Sequence, residues 1–135
     1  MIRDVPLTGV FVDDQDAALD FYTNKLGLEK LQDAAYGADA RWIEVSPAGA
    51  PIRIVLKKAE RDYEKAMVGR SEGAPVLVLG TDDVQAAYEW LLERGVQFLE
   101  EPIRRPWGVE ARFLDQDGSV LLLQQAPTEQ QGTHA

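Results

Sequence analysis

The side chains that most often carry out catalysis are scarce in this 135-residue chain. It contains no cysteine, and its one histidine is His134. The sequence therefore excludes a cysteine nucleophile, a thiolate metal site and a disulfide framework, and it offers no serine or cysteine triad. We expect His134 to be a solvent-exposed bystander. Glu44 and Glu110 are the carboxylates best placed on predicted core strands, but two carboxylates without a histidine make a poor transition-metal site.

Binding through shape and aromatic stacking is the other chemistry that these residues offer. Trp107 lies between Pro106 and Gly108, ahead of a predicted strand, and Trp42 lies on a strand of the first half. An indole in either place can stack on a flat ligand or pack a strand end. The remaining candidates share an aromatic ring or a strand-borne charge: Phe11, Phe113, Tyr36, Tyr63 and Arg53.

Each of these residues also has a purely structural interpretation. Phe11 and Phe113 fit a core as well as a ligand site, whereas Tyr36 and Tyr63 lie in loop-like regions. We expect Arg53 to point inward, toward Glu44 or a ligand carboxylate. The other charged and aromatic positions are interpreted structurally. We expect Arg112 on an exposed sheet face, Arg104 and Arg105 in a solvated turn, and Trp90 in helix packing.

Composition and charge limit the class of protein. Hydrophobic residues make up 45% and charged residues 27% of the chain, which is typical of a soluble globular domain. The net charge of −9 disfavours nucleic-acid binding, and it indicates either solubility or a mild preference for cationic ligands. No apolar run approaches the roughly 20 residues of a membrane helix, and residues 1–4 do not resemble a signal peptide. We therefore predict a cytoplasmic protein that binds neither nucleic acid nor membrane.

The second half of the chain repeats the first at an offset of 69 residues. Three features recur: an apolar segment, an Asp-Asp run with helical spacing, and a glycine followed by alternating residues. They occupy residues 5–12, 13–22 and 27–31 in the first copy, and residues 74–80, 82–91 and 95–99 in the second. Each copy thus begins as strand, helix and strand.

Further strands are predicted at residues 40–46, 51–57, 109–115 and 119–125, with a hairpin turn at Asp115–Gly118. The helices should begin at aspartates, with Asp82 and Gln85 forming a capping box. The expected fold is α+β: two βαβββ modules whose mixed sheets curl around a crevice, with the helices outside. We divide the single domain 1–135 into module one, a connector, module two and a flexible tail, at residues 5–57, 58–73, 74–125 and 126–135.

These segments resemble the vicinal-oxygen-chelate superfamily of glyoxalases, bleomycin-resistance proteins and extradiol dioxygenases. Residues 10–14, 17–22 and 26–28 are similar to its opening strand and helix. Residues 106–108, 112–113 and 115–119 are similar to its closing strands, above all in the bleomycin-resistance branch. The resemblance implies a pseudo-twofold pair of modules, commonly a dimer, and an aromatic side chain at Trp107 that stacks on flat ligands.

The resemblance also implies where a metal ion would be bound. Its enzymes use histidine, glutamate or glutamine from the first and last strand of each module. Counting from the motifs places Leu7, Arg53, Val76 and Leu122 at those four positions. None is a metal ligand, and Arg53 is a fixed cation that would repel one.

We therefore predict a homodimeric protein without metal or cofactor, which sequesters a planar aromatic, antibiotic-like or cationic small molecule. The alternative is a lyase or dioxygenase of the same superfamily, either metal-free or with a shifted site that uses Glu44 or Glu110. A third hypothesis is a domain whose partner is another protein.

Overall fold

A computed structural model describes residues 1–70 and 72–126 of the chain. Residues 127–135 of the predicted tail, which include His134, lie outside the described residues. The chain divides into two compact units, Met1–Gly69 and Arg70–Ala135. Within the described part, no helix has the length and apolar character needed to cross a membrane.

The first unit is a four-stranded mixed sheet with helices. Its strands are β1 (Leu7–Val12), β2 (Glu29–Tyr36), β3 (Ala40–Ser46) and β4 (Arg53–Lys58), and its α-helices are α1 (Gln15–Asp20) and α2 (Asp62–Lys65). A π-helical segment, Phe21–Lys25, continues α1. The strand order is β1-β4-β3-β2, in which β1 runs parallel to β4 and the other pairs are antiparallel.

Alternation along these strands divides the first sheet into two faces. Val10 and Val12 on β1 are buried together with Ile54 and Leu56 on β4. The Gln15 side chain of α1 donates to the Leu56 carbonyl oxygen over 2.9 Å, so this face lies against α1. Because successive side chains of a strand point to opposite faces, the odd-numbered residues of β1 and β4 lie on the face away from α1.

The second unit has the same order of elements. Its strands are β5 (Leu77–Gly80), β6 (Ile103–Arg105), β7 (Gly108–Leu114) and β8 (Val120–Gln125), and its helix is α3 (Val84–Glu93). The strand order β5-β8-β7-β6, with β5 parallel to β8, matches that of the first unit. The predicted α+β fold with two βαβββ modules is confirmed.

Local signals account for most of the boundaries. The Asp14 carboxylate caps α1 by accepting from the backbone N–H groups of Asp16 and Ala17. In the β7–β8 turn, Gly118 has a φ of +85°, and its N–H donates to the Asp115 carbonyl over 3.0 Å. Glycine adopts this left-handed conformation with little strain, so the predicted hairpin turn is confirmed.

Three local predictions are wrong. The capping residue of α3 is Asp83 rather than Asp82, and the Gln85 side chain donates to Glu89 instead of forming a capping box. The edge strand of the second sheet is β6 rather than residues 95–99, where Phe98 makes only an isolated bridge to Phe113. Residues 104 and 105 lie on this strand and not in a turn. The turn begins one residue later, at residue 106.

Candidate functional site

The face of the first sheet away from α1 carries most of the predicted binding residues. Arg53 pairs in register with Leu7, and Lys57 pairs with Phe11. The Lys57 ammonium nitrogen lies 5.9 Å from the centre of the Phe11 ring, which confirms that these two side chains share a face. We call this surface, which α1 does not cover and which α2 reaches through Glu64 at Lys57, the helix-free face of the first unit.

A tryptophan, a glutamate and an arginine meet on the helix-free face. The Trp42 indole Nε1 donates to Glu44 Oε2 over 2.7 Å, and Arg53 Nη1 donates to Glu44 Oε1 over 3.3 Å. The Glu44 side chain is only 7% exposed, whereas that of Arg53 is 41% exposed. Both carboxylate oxygens thus have a donor, and the buried negative charge is paired. We call these three residues the first Trp–Glu–Arg cluster.

Tyr36 extends the aromatic surface of this cluster. Its ring centre lies 5.8 Å from that of Trp42 at an interplanar angle of 58°. Tyr36 is exposed at the end of β2, while Trp42 is half-buried on β3. The prediction that Tyr36 lies in a loop is wrong, because β2 continues through it. A pair of rings with one open side is the arrangement that a stacking platform requires.

Tyr63 is not on a loop either, since it lies on the short helix α2. Its hydroxyl accepts a hydrogen bond from Arg61 over 3.4 Å, and its ring is exposed. The structure therefore groups Trp42, Tyr36 and Arg53, and it places Tyr63 on a different element.

A second cluster of the same residue types lies in the second unit. Pro106 and Trp107 form the turn between β6 and β7, and the Trp107 indole Nε1 donates to Glu110 Oε1 over 2.6 Å. The Arg105 Nε atom lies 3.8 Å from Glu110 Oε2. Trp107 is 52% exposed. These residues form the second Trp–Glu–Arg cluster.

The other aromatic and charged candidates of the second unit lie elsewhere. Phe113 is fully buried, and its ring centre lies 5.2 Å from that of Phe98, so it belongs to the core of its unit. Arg112 is exposed as expected, and its guanidinium donates to Glu100 over 2.8 Å. Trp90 is partly exposed on α3, where the Arg94 guanidinium lies 3.6 Å from the centre of its ring.

The residues at the four implied metal positions do not fit a metal ion. Leu7 and Arg53 lie opposite one another on β1 and β4, and neither offers a donor atom with a free lone pair. Val76 and Leu122 have only hydrocarbon side chains. In residues 1–70 and 72–126, no three His, Cys, Asp or Glu side chains form a group that could hold a metal ion. The prediction of metal-free function stays a prediction.

The end of β4 is fixed by a carboxylate of α2. Glu64 Oε1 accepts from the backbone N–H groups of Glu60 and Arg61 at 2.9 and 3.2 Å. Glu64 Oε2 lies 3.8 Å from Lys57 Nζ, and the Glu64 side chain is 6% exposed. The two backbone donors, aided by the Lys57 charge, lower the pKa of Glu64 below its ordinary value.

The expectation that Arg53 points toward Glu44 is confirmed, but the hydrogen bond from Trp42 to the same carboxylate was missed. A Trp-x-Glu spacing on a strand puts both side chains on one face, and this signal is visible in residues 42–44. In the second cluster, Arg105 was missed because β6 was predicted elsewhere. Lys57 was also missed, although it shares strand and face with Arg53.

Nearly the whole chain resembles known proteins. The model of the Glyoxalase/Bleomycin resistance protein/Dioxygenase superfamily matches residues 5–123. YetH, an uncharacterised protein of Bacillus subtilis (strain 168), is 37% identical over 126 residues, which cover 93% of this chain and 100% of YetH.

Solved structures resemble the chain over the same span. UcmS2 has a TM-score of 0.83 at 32% identity, over 93% of this chain and 100% of UcmS2. TnmS3, an antibiotic binding protein from Streptomyces sp. CB03234, has a TM-score of 0.79 at 39% identity, over 93% of this chain and 98% of TnmS3.

Proposed function

We propose that this chain, which belongs to the glyoxalase/bleomycin resistance protein/dioxygenase superfamily, binds and sequesters a planar aromatic small molecule of antibiotic type without using a metal. The observation that carries this proposal is the Trp42 indole on the helix-free face, hydrogen-bonded to a buried carboxylate and bordered by the exposed ring of Tyr36.

The Trp42 indole is held in place before any ligand binds. The 2.7 Å bond to Glu44 limits rotation of the indole, and Glu44 is itself held by Arg53. A ring that is already fixed loses little conformational entropy when a ligand stacks on it. Each aromatic pair would then contribute about 0.5–1.5 kcal/mol beyond the apolar area that it buries.

Trp107 offers a further platform in the second unit. Its indole is also fixed by a carboxylate, at 2.6 Å, and more than half of its surface is open. Gly108, the next residue, carries no side chain that would cover the ring. We include Trp107 with Trp42, Tyr36, Phe11 and Arg53 among the proposed ligand-binding residues.

Relatives support the proposal at the level of ligand class. TnmS3 is an antibiotic binding protein, and it resembles this chain over nearly all of both sequences. A lyase or dioxygenase with a shifted metal site would need Glu44 or Glu110 as a ligand. Each of these carboxylates already accepts from an indole N–H and lies beside an arginine, so no observation favours that alternative.

The test is a fluorescence titration with bleomycin-type, enediyne, mitomycin and flavin-like compounds, and with 9-anthracenemethanol as a simple uncharged probe. Trp42→Leu should weaken binding of a compound that the wild type binds by at least about tenfold, or about 1.4 kcal/mol. Trp107→Leu should also weaken it. Trp90→Leu is the matched control and should leave affinity unchanged, because Arg94 already covers that ring. Saturable binding to none of these compounds would contradict the proposal.

Metal dependence is tested separately. Treatment with a chelator should leave the melting temperature unchanged, because a protein that binds no metal has no metal-dependent stabilisation to lose. A stoichiometric divalent ion in protein purified without chelator, together with a melting temperature that falls on chelation and recovers with zinc, nickel or iron, would overturn metal-free binding.

We further propose that the protein is a cytoplasmic homodimer. The order β1-β4-β3-β2 leaves β2 at an edge of the first sheet, and all eight of its residues are exposed. Exposed strand edges favour pairing with another chain. Sedimentation at micromolar concentration should give twice the monomer mass, and a monomer there would refute the dimer.

A further inference from the structure

We infer that the ligand carries an anionic group, such as a carboxylate or phenolate, which Arg53 binds at the edge of the Trp42 platform. This inference rests on the proposed function and specifies the charge of the ligand. It reverses the expectation from net charge, since a chain of −9 would by itself attract cations.

Burial decides which charges a ligand can meet on the helix-free face. Glu44 is 7% exposed and both of its oxygens accept hydrogen bonds, so little of its charge is accessible. Arg53, its partner, is 41% exposed. The pair therefore presents its positive member to solvent and keeps its negative member covered.

Arg53 retains the capacity for a second partner. A guanidinium has five N–H donors, and the bond from Nη1 to Glu44 is long for an ion pair, at 3.3 Å. A ligand carboxylate can accept from the remaining donors without breaking the contact to Glu44. A cationic ligand would have to approach Glu44 past Arg53, against like-charge repulsion.

Lys57 adds a second positive charge to the same strand and face. Its side chain is 36% exposed, while Glu64, its nearest carboxylate at 3.8 Å, is covered. Glu60 is exposed and lies 4.0 Å from Lys57, but it follows the end of β4 and not the part that carries Arg53. Glu29 lies on β2, which is two strands away from Arg53, or about 10 Å.

Three probes with one ring system test the charge preference. They are anthracene-9-carboxylate, 9-anthracenemethanol and 9-anthracenemethylamine, which are negative, neutral and positive at pH 7. Affinities are measured by probe fluorescence anisotropy at low ionic strength, where charge effects are least screened. We expect the carboxylate to bind at least about tenfold more tightly than the amine, with the alcohol between them.

Variants then assign the preference to Arg53. Arg53→Gln should weaken carboxylate binding by at least about tenfold more than it weakens alcohol binding, whereas Arg53→Lys should retain most of the difference between the two probes. Lys57→Gln and Lys58→Gln form a matched pair, because they remove one charge from opposite faces of β4. Lys58 lies on the α1 side with Gln15 and Arg41, so only Lys57→Gln should weaken carboxylate binding.

The outcomes separate this inference from the proposed function. Equal binding of the three probes, or tightest binding of the amine, would overturn the anionic ligand while Trp42-dependent binding still supported the platform. Carboxylate preference that survives Arg53→Gln in a folded variant would also overturn it. If neither these probes nor the wider panel of compounds bind the wild type, the platform itself fails.

Discussion

The two Trp–Glu–Arg clusters contain the same residue types but are built in different ways. In the first unit, Glu44 lies on the central strand β3 and Arg53 on the central strand β4, with the carboxylate almost fully covered. In the second unit, Trp107 lies in the β6–β7 turn at the edge of the sheet, and its ring is more than half exposed. The first cluster is thus part of a sheet interior, and the second is part of a hairpin tip.

The clusters are not copies of one another, although the two units are. At the 69-residue offset that relates the halves, Trp42 corresponds to Ala111 and Trp107 to Ala38. The repeat therefore determines the strands and helices, while each cluster arises from residues found in only one half. A shared fold does not imply a shared site, and the two units are expected to contribute differently to stability and to binding.

The largest expected difference lies in the contribution of each indole to stability. Trp42→Ala should lower the free energy of unfolding by about 3–4 kcal/mol, because a half-buried ring is lost and Glu44 loses a donor. Trp107→Ala should lower it by only about 1–2 kcal/mol, because much of that ring is already in solvent. Urea unfolding of both variants measures the difference, and equal losses would show that the clusters do not differ in this way.

The second expected difference concerns the backbone beneath the second cluster. Gly108 has a φ of +138°, and a Cβ atom there would lie 2.0 Å from the Gln125 carbonyl oxygen. Gly108→Ala should therefore destabilise the protein by about 2–3 kcal/mol more than Gly118→Ala, which has a positive φ but nothing within 4 Å of its added Cβ.

The comparison between these two glycine variants isolates the close approach of β7 to residue 125. If both variants lose the same free energy of unfolding, the positive φ alone explains the loss. The close approach of residue 125 then does not constrain the hairpin that carries Trp107. The first cluster does not depend on such a glycine, because its members lie within β3 and β4, and each of these strands pairs with a neighbour on both sides.

The sequence predicts the fold well because the signals of the fold are local and repeated. Val10 and Val12 alternate with Phe11, Asp14 caps α1, and Gly118 lies in the β7–β8 turn, so these elements could be assigned from their own residues. The candidate site is less accessible to such reasoning. The pairing of Arg53 with Glu44 is expected from their charges, but the contact joins two strands, and neither its register nor the burial of Glu44 can be read from either strand alone.

The errors in the second unit have the same physical origin. An alternating pattern at residues 95–99 fits an edge strand as well as residues 103–105 do, and only pairing with β7 distinguishes them. Once β6 is misplaced, Arg105 cannot be assigned to the face that carries Glu110.

The smallest expected effect concerns acid, and it involves only the first unit. The pKa of Glu64 is lowered below its ordinary value of 4.5 by the backbone N–H groups of Glu60 and Arg61, which precede α2, and by Lys57. A carboxyl whose pKa is lowered on folding stabilises the protein above its unfolded pKa, and this contribution is lost as the pH falls through the folded pKa. Glu64→Gln should therefore be less stable than the wild type at pH 7, and this gap in the free energy of unfolding should narrow below about pH 4.5.

Urea midpoints of the variant and the wild type at pH 7, 5, 4 and 3 measure this gap. Glu60→Gln is the matched control, since Glu60 lies 4.0 Å from Lys57, against 3.8 Å for Glu64, but is exposed, and the gap for this variant should change less. A gap for Glu64→Gln that stays constant down to pH 3 would mean that this carboxylate does not fix the end of β4, and that Lys57 is held on the helix-free face by other contacts.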